Sequence, residues 1–222
     1  MAAPKRFSVT EDISDNLLKA YLAQKVVAVD TELDGLRLGR DQVRLVQVSD
    51  EKQNVALVVT APPKAPPNLK KLLTAKNTCK IFHFAITDVA FLRTSLNVDV
   101  NPFVCTKVMS KVVRTYTEGH SLRHLAEELL GVKLEKQFQN TNWADPTLSA
   151  SQLKYAANDV LHLVEIYRRL QKMLSTRGEL PSGLTAMQLN ERAQACLPTI
   201  VDLLINGYGD RDNGWESTIF TH

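Results

Sequence analysis

The sequence predicts an α/β or α+β protein, and three observations carry that prediction. Compact β-branched runs stand at 26–31 (VVAVDT), 43–48 (VRLVQV) and 54–59 (NVALVV), the mark of buried strands. Stretches with apolar residues at helical spacing lie before and after them. The composition of the 222 residues, 44% hydrophobic and 23% charged, is that of an ordinary globular chain able to bury a core without disulfide or zinc staples.

In chain order, Ile13, Leu17, Leu18 and Leu22 predict an amphipathic helix over 11–23. The three strand runs follow one another closely, with Asp50–Gln53 suited to a hairpin turn, so the sheet starts antiparallel. Four prolines in 60–67 make a stiff connector. A helix over 68–74 precedes a strand at 79–84 (CKIFHF), and 87–95, 106–113 and 121–130 read as helices, the last ended by Gly131. The longest predicted element is a helix over 150–174, opened by a Ser149/Gln152 capping box. A further helix over 184–205 is expected to break near Pro198. The tail, 207–222, holds Tyr208, Trp215, Ile219 and Phe220.

Several classes are excluded at this level. The basic start, Met1–Arg6, runs into a polar and acidic stretch with no apolar core, so no targeting signal is expected. No run of 18 apolar residues is long enough to span a membrane. Cys79, Cys105 and Cys196 are odd in number and widely spaced, which fits a reducing, cytoplasmic setting. The net charge of +3 is too mild to argue a nucleic-acid partner by itself.

The chemistry lies in the acids. Asp30 and Glu32 end an apolar strand and, two residues apart, share one of its faces. Two such carboxylates repel each other and resist desolvation, which is tolerable with a cation between them. Tyr155 and Asp159 share a helix face at i, i+4, and Asp88 opens a helix directly after a strand. Taken singly, each has an ordinary reading as a solvated acid in a turn, on a helix flank or in a first helical turn.

In this order, Asp30-x-Glu32, Asp88 and Tyr155-x-x-x-Asp159 resemble the Tyr-containing branch of the DEDD superfamily of 3′–5′ exonucleases. The stretches VAVDTELDGL, KIFHFAITDVAFL, CTKVMSKVVRTYTEGHSL, LEKQFQNTNWA and LSASQLKYAANDVLHL resemble the ribonuclease D family, nearest its short α-proteobacterial members of nanoRNase C type. Departures from the family pattern include Thr87 for phenylalanine, Gly119 for arginine, and Thr141-Asn142-Trp143 for Ser-Asp-Trp.

The resemblance implies a ribonuclease H-like (DnaQ-like exonuclease) α/β fold, a mixed five-stranded sheet flanked by helices. It implies an exonuclease domain over 1–175, with 176–222 a helical extension packed on the same domain or on a neighbouring subunit. It also implies two divalent cations, Mg²⁺ or Mn²⁺, held by Asp30, Glu32, Asp88 and Asp159, with Tyr155 orienting the attacking water. The implied substrate is short RNA, dinucleotides above all, and the implied assembly a homo-oligomer, possibly an octamer. Leu36, matching a base wedge, and His83, Arg114, Tyr116, His120 and Gln139 are the expected substrate contacts.

Two other functions compete with this one: general trimming of longer RNA ends, and a non-catalytic RNA-binding protein of the same fold. The intact acids and Tyr155 weigh against the second. A zinc site at His120 and His124 lacks a third ligand, and no phosphate-cradling glycine motif is present.

Overall fold

The computed structural model describes residues 6–134 and 141–208. Gln139 and the tail residues Trp215, Ile219 and Phe220 lie outside the described residues. In chain order the elements are β1 (Arg6–Thr10), α1 (Asp15–Leu22), β2 (Val26–Leu33), β3 (Val43–Ser49), β4 (Asn54–Val59), α2 (Pro67–Leu73) and β5 (Cys79–Phe82). They continue with α3 (Ala85–Leu96), β6 (Phe103–Cys105), α4 (Thr106–Val113), α5 (Leu122–Leu130), α6 (Ala150–Leu161), α7 (Leu163–Thr176) and α8 (Ala186–Ile205).

The strands form one mixed sheet, ordered β1-β4-β3-β2-β5-β6. As the short links require, β2, β3 and β4 pair antiparallel. By contrast β5 runs parallel to β2, so the carboxyl ends of these two strands lie at one edge of the sheet. The expected five strands are corrected to six. The ones hard to read are β6, only three residues long, and β1, which pairs parallel to β4 at the sheet edge and leaves Phe7 and Val9 exposed.

Side-chain alternation splits the core. Val27, Val29, Val46 and Val48 pack with α1, α2, α3 and the Leu197–Val201 part of α8 on one face. Ala28, Leu45, Leu57 and Ile81 pack with Ala156, Ala157 and Val160 of α6 on the other. A third cluster joins α4, α5 and α7 through Met109, Leu125, Ile166 and Leu170.

The expected helix over 150–174 is corrected to two, because the chain breaks at His162. The break lets α6 serve the sheet while most of α7 serves the third cluster. The expected break at Pro198 is absent: α8 runs through it. An interior proline costs about 3 kcal/mol, and burial of Leu197, Ile200 and Val201 on the core offsets it. The helix-start reading holds, since Ser149 and Gln152 form the reciprocal capping box. Gly131 ends α5 at φ 68°. Among the described residues no helix is long and apolar enough to cross a membrane.

Candidate active site

Asp30 and Glu32 point to the Ala28 face of β2, towards α6, where Tyr155 and Asp159 stand one turn apart. One carboxylate oxygen from each of Asp30, Glu32 and Asp159 falls within 4.8 Å of the others. Asp88 arrives from the opposite layer, in the first turn of α3 directly after β5. It stays outside that three-acid set and accepts a hydrogen bond from the Thr31 hydroxyl at 2.6 Å. The parallel pairing of β2 with β5 brings the two layers' acids to one edge of the sheet. All four acids and Tyr155 line one cleft of about 680 Å³.

The cluster is electrostatically costly. Burial raises Asp30 from its ordinary range to about 7. Burial, then repulsion from Asp30, Asp159 and Asp88, raises Glu32 to about 10. Asp88 and Asp159 are pushed well up by burial and by the charge of Asp30. Asp30 therefore acts on all three of the others. Burial, and the charges of Asp159, Glu32 and Asp30, push the Tyr155 phenol upward too, and its hydroxyl hydrogen-bonds Asp159. The Trp143 ring, 6.4 Å from that of Tyr155, backs it from inside the fold.

Of the expected substrate contacts, Leu36 and His83 line the cleft. Leu36 is 66% exposed although apolar, on the wall beside the acids. Burial, with the positive charge of Lys107 adding to it, lowers His83 to about 3, so its ring is neutral; Nδ1 lies 3.0 Å from the Thr106 hydroxyl.

Arg114, Tyr116 and His120 fall outside the described lining of the cleft. Arg114 is fully buried, its guanidinium donating to Ser110 and to the Gly119 carbonyl at 2.8 Å each and pairing with Glu128. Tyr116, 67% exposed, donates to Glu128, and His120 pairs with Ser110 at 2.8 Å. These three residues hold the loop before α5 together. Sequence alone does not tell such a buried guanidinium from a cation that lines the cleft.

Lys107 and Arg123 are the cations of the described cleft lining, and neither was singled out as a substrate contact. The Lys107 ammonium stands 4.0 Å over the ring of Phe84, which is 47% exposed in the cleft wall with a left-handed φ of 72°. A bulky residue is rarely held there. Seven residues apart, Lys107 and Arg114 share a face in a helical pattern, and it is the end of α4 at Val113, with Arg114 leaving helical geometry, that parts them.

The donor set fits hard divalent ions. Mg²⁺ takes oxygen ligands at 2.0–2.1 Å, so opposite ligands on one ion lie ~4.2 Å apart. The carboxylate oxygens of Asp30, Glu32 and Asp159, within 4.8 Å of one another, make an all-oxygen set of the kind such ions take. Among the described residues no cationic side chain pairs with these buried acids, and a bound cation would relieve their repulsion. Behind Asp30, directly across the strand pair, lies Gln47, fully buried and with neither amide atom hydrogen-bonded among the described residues.

Comparison with known proteins agrees with this geometry. A family model described as 3′–5′ exonuclease matches residues 6–175. Ribonuclease D of Cronobacter turicensis is 30% identical over 186 residues, 81% of this chain and 48% of its own length. DNA polymerase I of Aquifex aeolicus is 31% identical over 66% of this chain and 24% of its own. The chain thus spans about a quarter to a half of these curated relatives. Among solved structures, Brucella melitensis NrnC is 36% identical, with a TM-score of 0.83 and 98% of each chain covered. That protein has also been solved with bound Mg²⁺ and bound to pGG.

Proposed function

The chain belongs to the 3′–5′ exonuclease family, in its ribonuclease D branch, and from that premise we propose that it hydrolyses short RNA from the 3′ end to nucleoside 5′-monophosphates, with dinucleotides preferred. The observation that carries this reading is the convergence of Asp30, Glu32 and Asp159 in a cleft also lined by Asp88 and Tyr155. The preference for dinucleotides is supported by the pGG-bound NrnC, matched along 98% of its length.

In this mechanism Asp30, Glu32 and Asp159 would hold one divalent ion, Mg²⁺ or Mn²⁺, and Asp88 with Asp30 would hold a second. When bound, such ions supply Lewis acidity at the scissile phosphate and ease ionisation of water at neutral pH. Tyr155 stays a neutral phenol, because its surroundings push its ionisation upward. Its hydroxyl donates to Asp159 and turns a lone pair to the attacking water, fixing the line of attack. Leu36 offers an apolar edge to separate two bases. The neutral His83 and the cationic Lys107 face the same space, Lys107 suited to a phosphate oxygen.

The same reading carries a closed homo-oligomer. The β1 edge, with Phe7 and Val9 exposed, gains from being covered. Light scattering that returns the single-chain mass of 24.8 kDa removes this part of the proposal.

The test is incubation with 5′-labelled RNAs of two to about twenty nucleotides in Mg²⁺ or Mn²⁺, following product length with time. Faster consumption of the 5′-phosphorylated dinucleotide is expected. Equal kcat/KM at all lengths replaces the dinucleotide preference with general end trimming. No hydrolysis with either ion overturns the proposed activity.

A further inference from the structure

Thr31 stands between the two acids of β2 and faces the other way. Alternation puts it on the Val27 and Val29 face, towards α3. Valine at 31 would continue that apolar row and fill the same space. Threonine interrupts the row where Asp88 arrives, and its hydroxyl lies 2.6 Å from Asp88 Oδ1, both residues being buried. That distance belongs to the short, charge-assisted class in which a hydroxyl donates to a carboxylate. The contact joins β2 to α3 across 57 residues of chain, so it is a tertiary device and not a turn.

Asp88 needs such a device more than its neighbours do. The oxygens of Asp30, Glu32 and Asp159 converge on one another, and Asp88 is outside that set. A carboxylate rotates readily about its last bond, and repulsion from Asp30 acts to turn Asp88 away. The Thr31 hydroxyl holds Oδ1, and the backbone N–H groups of Thr31 and Asp88 add smaller contributions to the same carboxylate.

We propose that Thr31 is a positioning residue: its hydroxyl fixes the orientation of Asp88 and so builds the second ion position, the one that the three-acid cluster does not complete. The inference rests on the reading of Asp88 as an ion ligand. It divides the site into two unequal halves, one preformed by three acids and one whose acid has the Thr31 hydroxyl as the largest of its hydrogen-bond contributions. Loss of a group that orients a metal ligand costs about 10–100-fold in affinity or activity.

The experiment compares Thr31→Val, which keeps the shape, with Thr31→Ser, which keeps the hydroxyl. Metal-free protein is titrated with Mn²⁺ by calorimetry, and dinucleotide turnover is measured in parallel. For Thr31→Val, one binding event is expected to retain wild-type affinity and the other to weaken about 10–100-fold. Its kcat should fall to match while KM changes little, and Thr31→Ser should recover most of both. In an Asp88→Asn background Thr31→Val should add nothing, since the two act as one unit.

Two wild-type binding events in Thr31→Val overturn the inference. So does a Thr31→Ser protein as defective as Thr31→Val, which reduces the contact to packing. So does an additive loss in the Asp88→Asn background, the comparison that decides if Thr31→Val folds poorly. A wild type that binds two ions but cleaves no RNA overturns the proposed function instead, and the calorimetry still decides the role of Thr31.

Discussion

Four aspartates and glutamates follow one another along β2 and the loop after it, and the fold treats them in two opposite ways. Asp34 and Asp41 are given guanidinium partners: Arg44 donates to Asp34 at 2.7 Å and Arg40 to Asp41 at 2.5 Å. Their other contacts are backbone N–H groups, from Gln42 and Arg37. Asp41 also packs against Gly35, where a Cβ would lie 2.2 Å from its carboxylate, so the loop requires glycine there. Among the described residues Asp30 and Glu32 receive no guanidinium: burial dominates both, Glu32 also feels the charges of Asp30, Asp159 and Asp88, and one backbone N–H, of Thr31, eases Asp30. The same functional group is a structural tie in one place and an unrelieved cost in the other. An acid with a partner explains itself; a nest of buried acids without one points to a ligand that supplies the missing charge.

Removing an acid from each set breaks the comparison most sharply. Asp30→Asn should lower RNA hydrolysis about 10⁴-fold or more, within the 10⁶-fold or larger accelerations enzymes achieve. Its metal-free melting temperature should equal or exceed that of wild type, because one repulsive charge is gone from a crowded cluster. Activity assays and thermal melts in chelator check both halves. A variant that loses stability as well as activity would make Asp30 a structural tie like Asp41.

The next effect concerns a group that is neither charged nor a metal ligand. Tyr155→Phe keeps the ring against Trp143 and deletes the hydroxyl that bonds Asp159. Single-turnover kcat should fall roughly 10²–10⁴-fold, the range for a positioned proton-transfer group, with dinucleotide affinity little changed. An unchanged kcat would leave Tyr155 a packing residue.

Much of this was legible because its signals are local. The i, i+2 spacing of Asp30 and Glu32 and the i, i+4 spacing of Tyr155 and Asp159 each define one face of one element, and the parallel strand before Asp88 delivers it to the same edge. The helix ends at Ser149 and Gly131 were equally readable, since capping is a matter of a few neighbouring residues. What was hidden depends on distant partners. Arg114 resembles a substrate cation until Glu128, Ser110 and Gly119 are seen to surround it. Lys107 and Arg123, close to it in sequence, reach the cleft. Charge counting cannot separate them, because the difference lies in the partners that enclose Arg114. The edge strands β1 and β6 were missed for a related reason: their pairing is supplied by β4 and β5 and not by their own pattern.

The smallest effect is the most direct reading of the two kinds of acid, through pH. Asp30 is raised to about 7 in the fold, so its contribution to stability is complete below its ordinary range near 4 and is lost as pH rises through about 7. Glu32 follows in the same direction at higher pH, being raised to about 10. Metal-free protein should therefore melt at a lower temperature at about pH 8 than at about pH 5. Asp41, lowered to about 2 by its hydrogen bond to Arg40, has the opposite sign: its contribution is present above its ordinary range and is lost only as pH falls through about 2. Asp41→Asn should cost stability by a similar amount at both pH values, leaving the slope between them intact, whereas Asp30→Asn should flatten the slope. Mg²⁺ at 100 times its dissociation constant should add about 2.7 kcal/mol and remove most of the alkaline loss, because the ion replaces the protons that the acids give up. If the metal-free melting temperature instead rises from pH 5 to pH 8, the cluster is relieved by some group of the chain itself, and the distinction between partnered and unpartnered acids fails at its base.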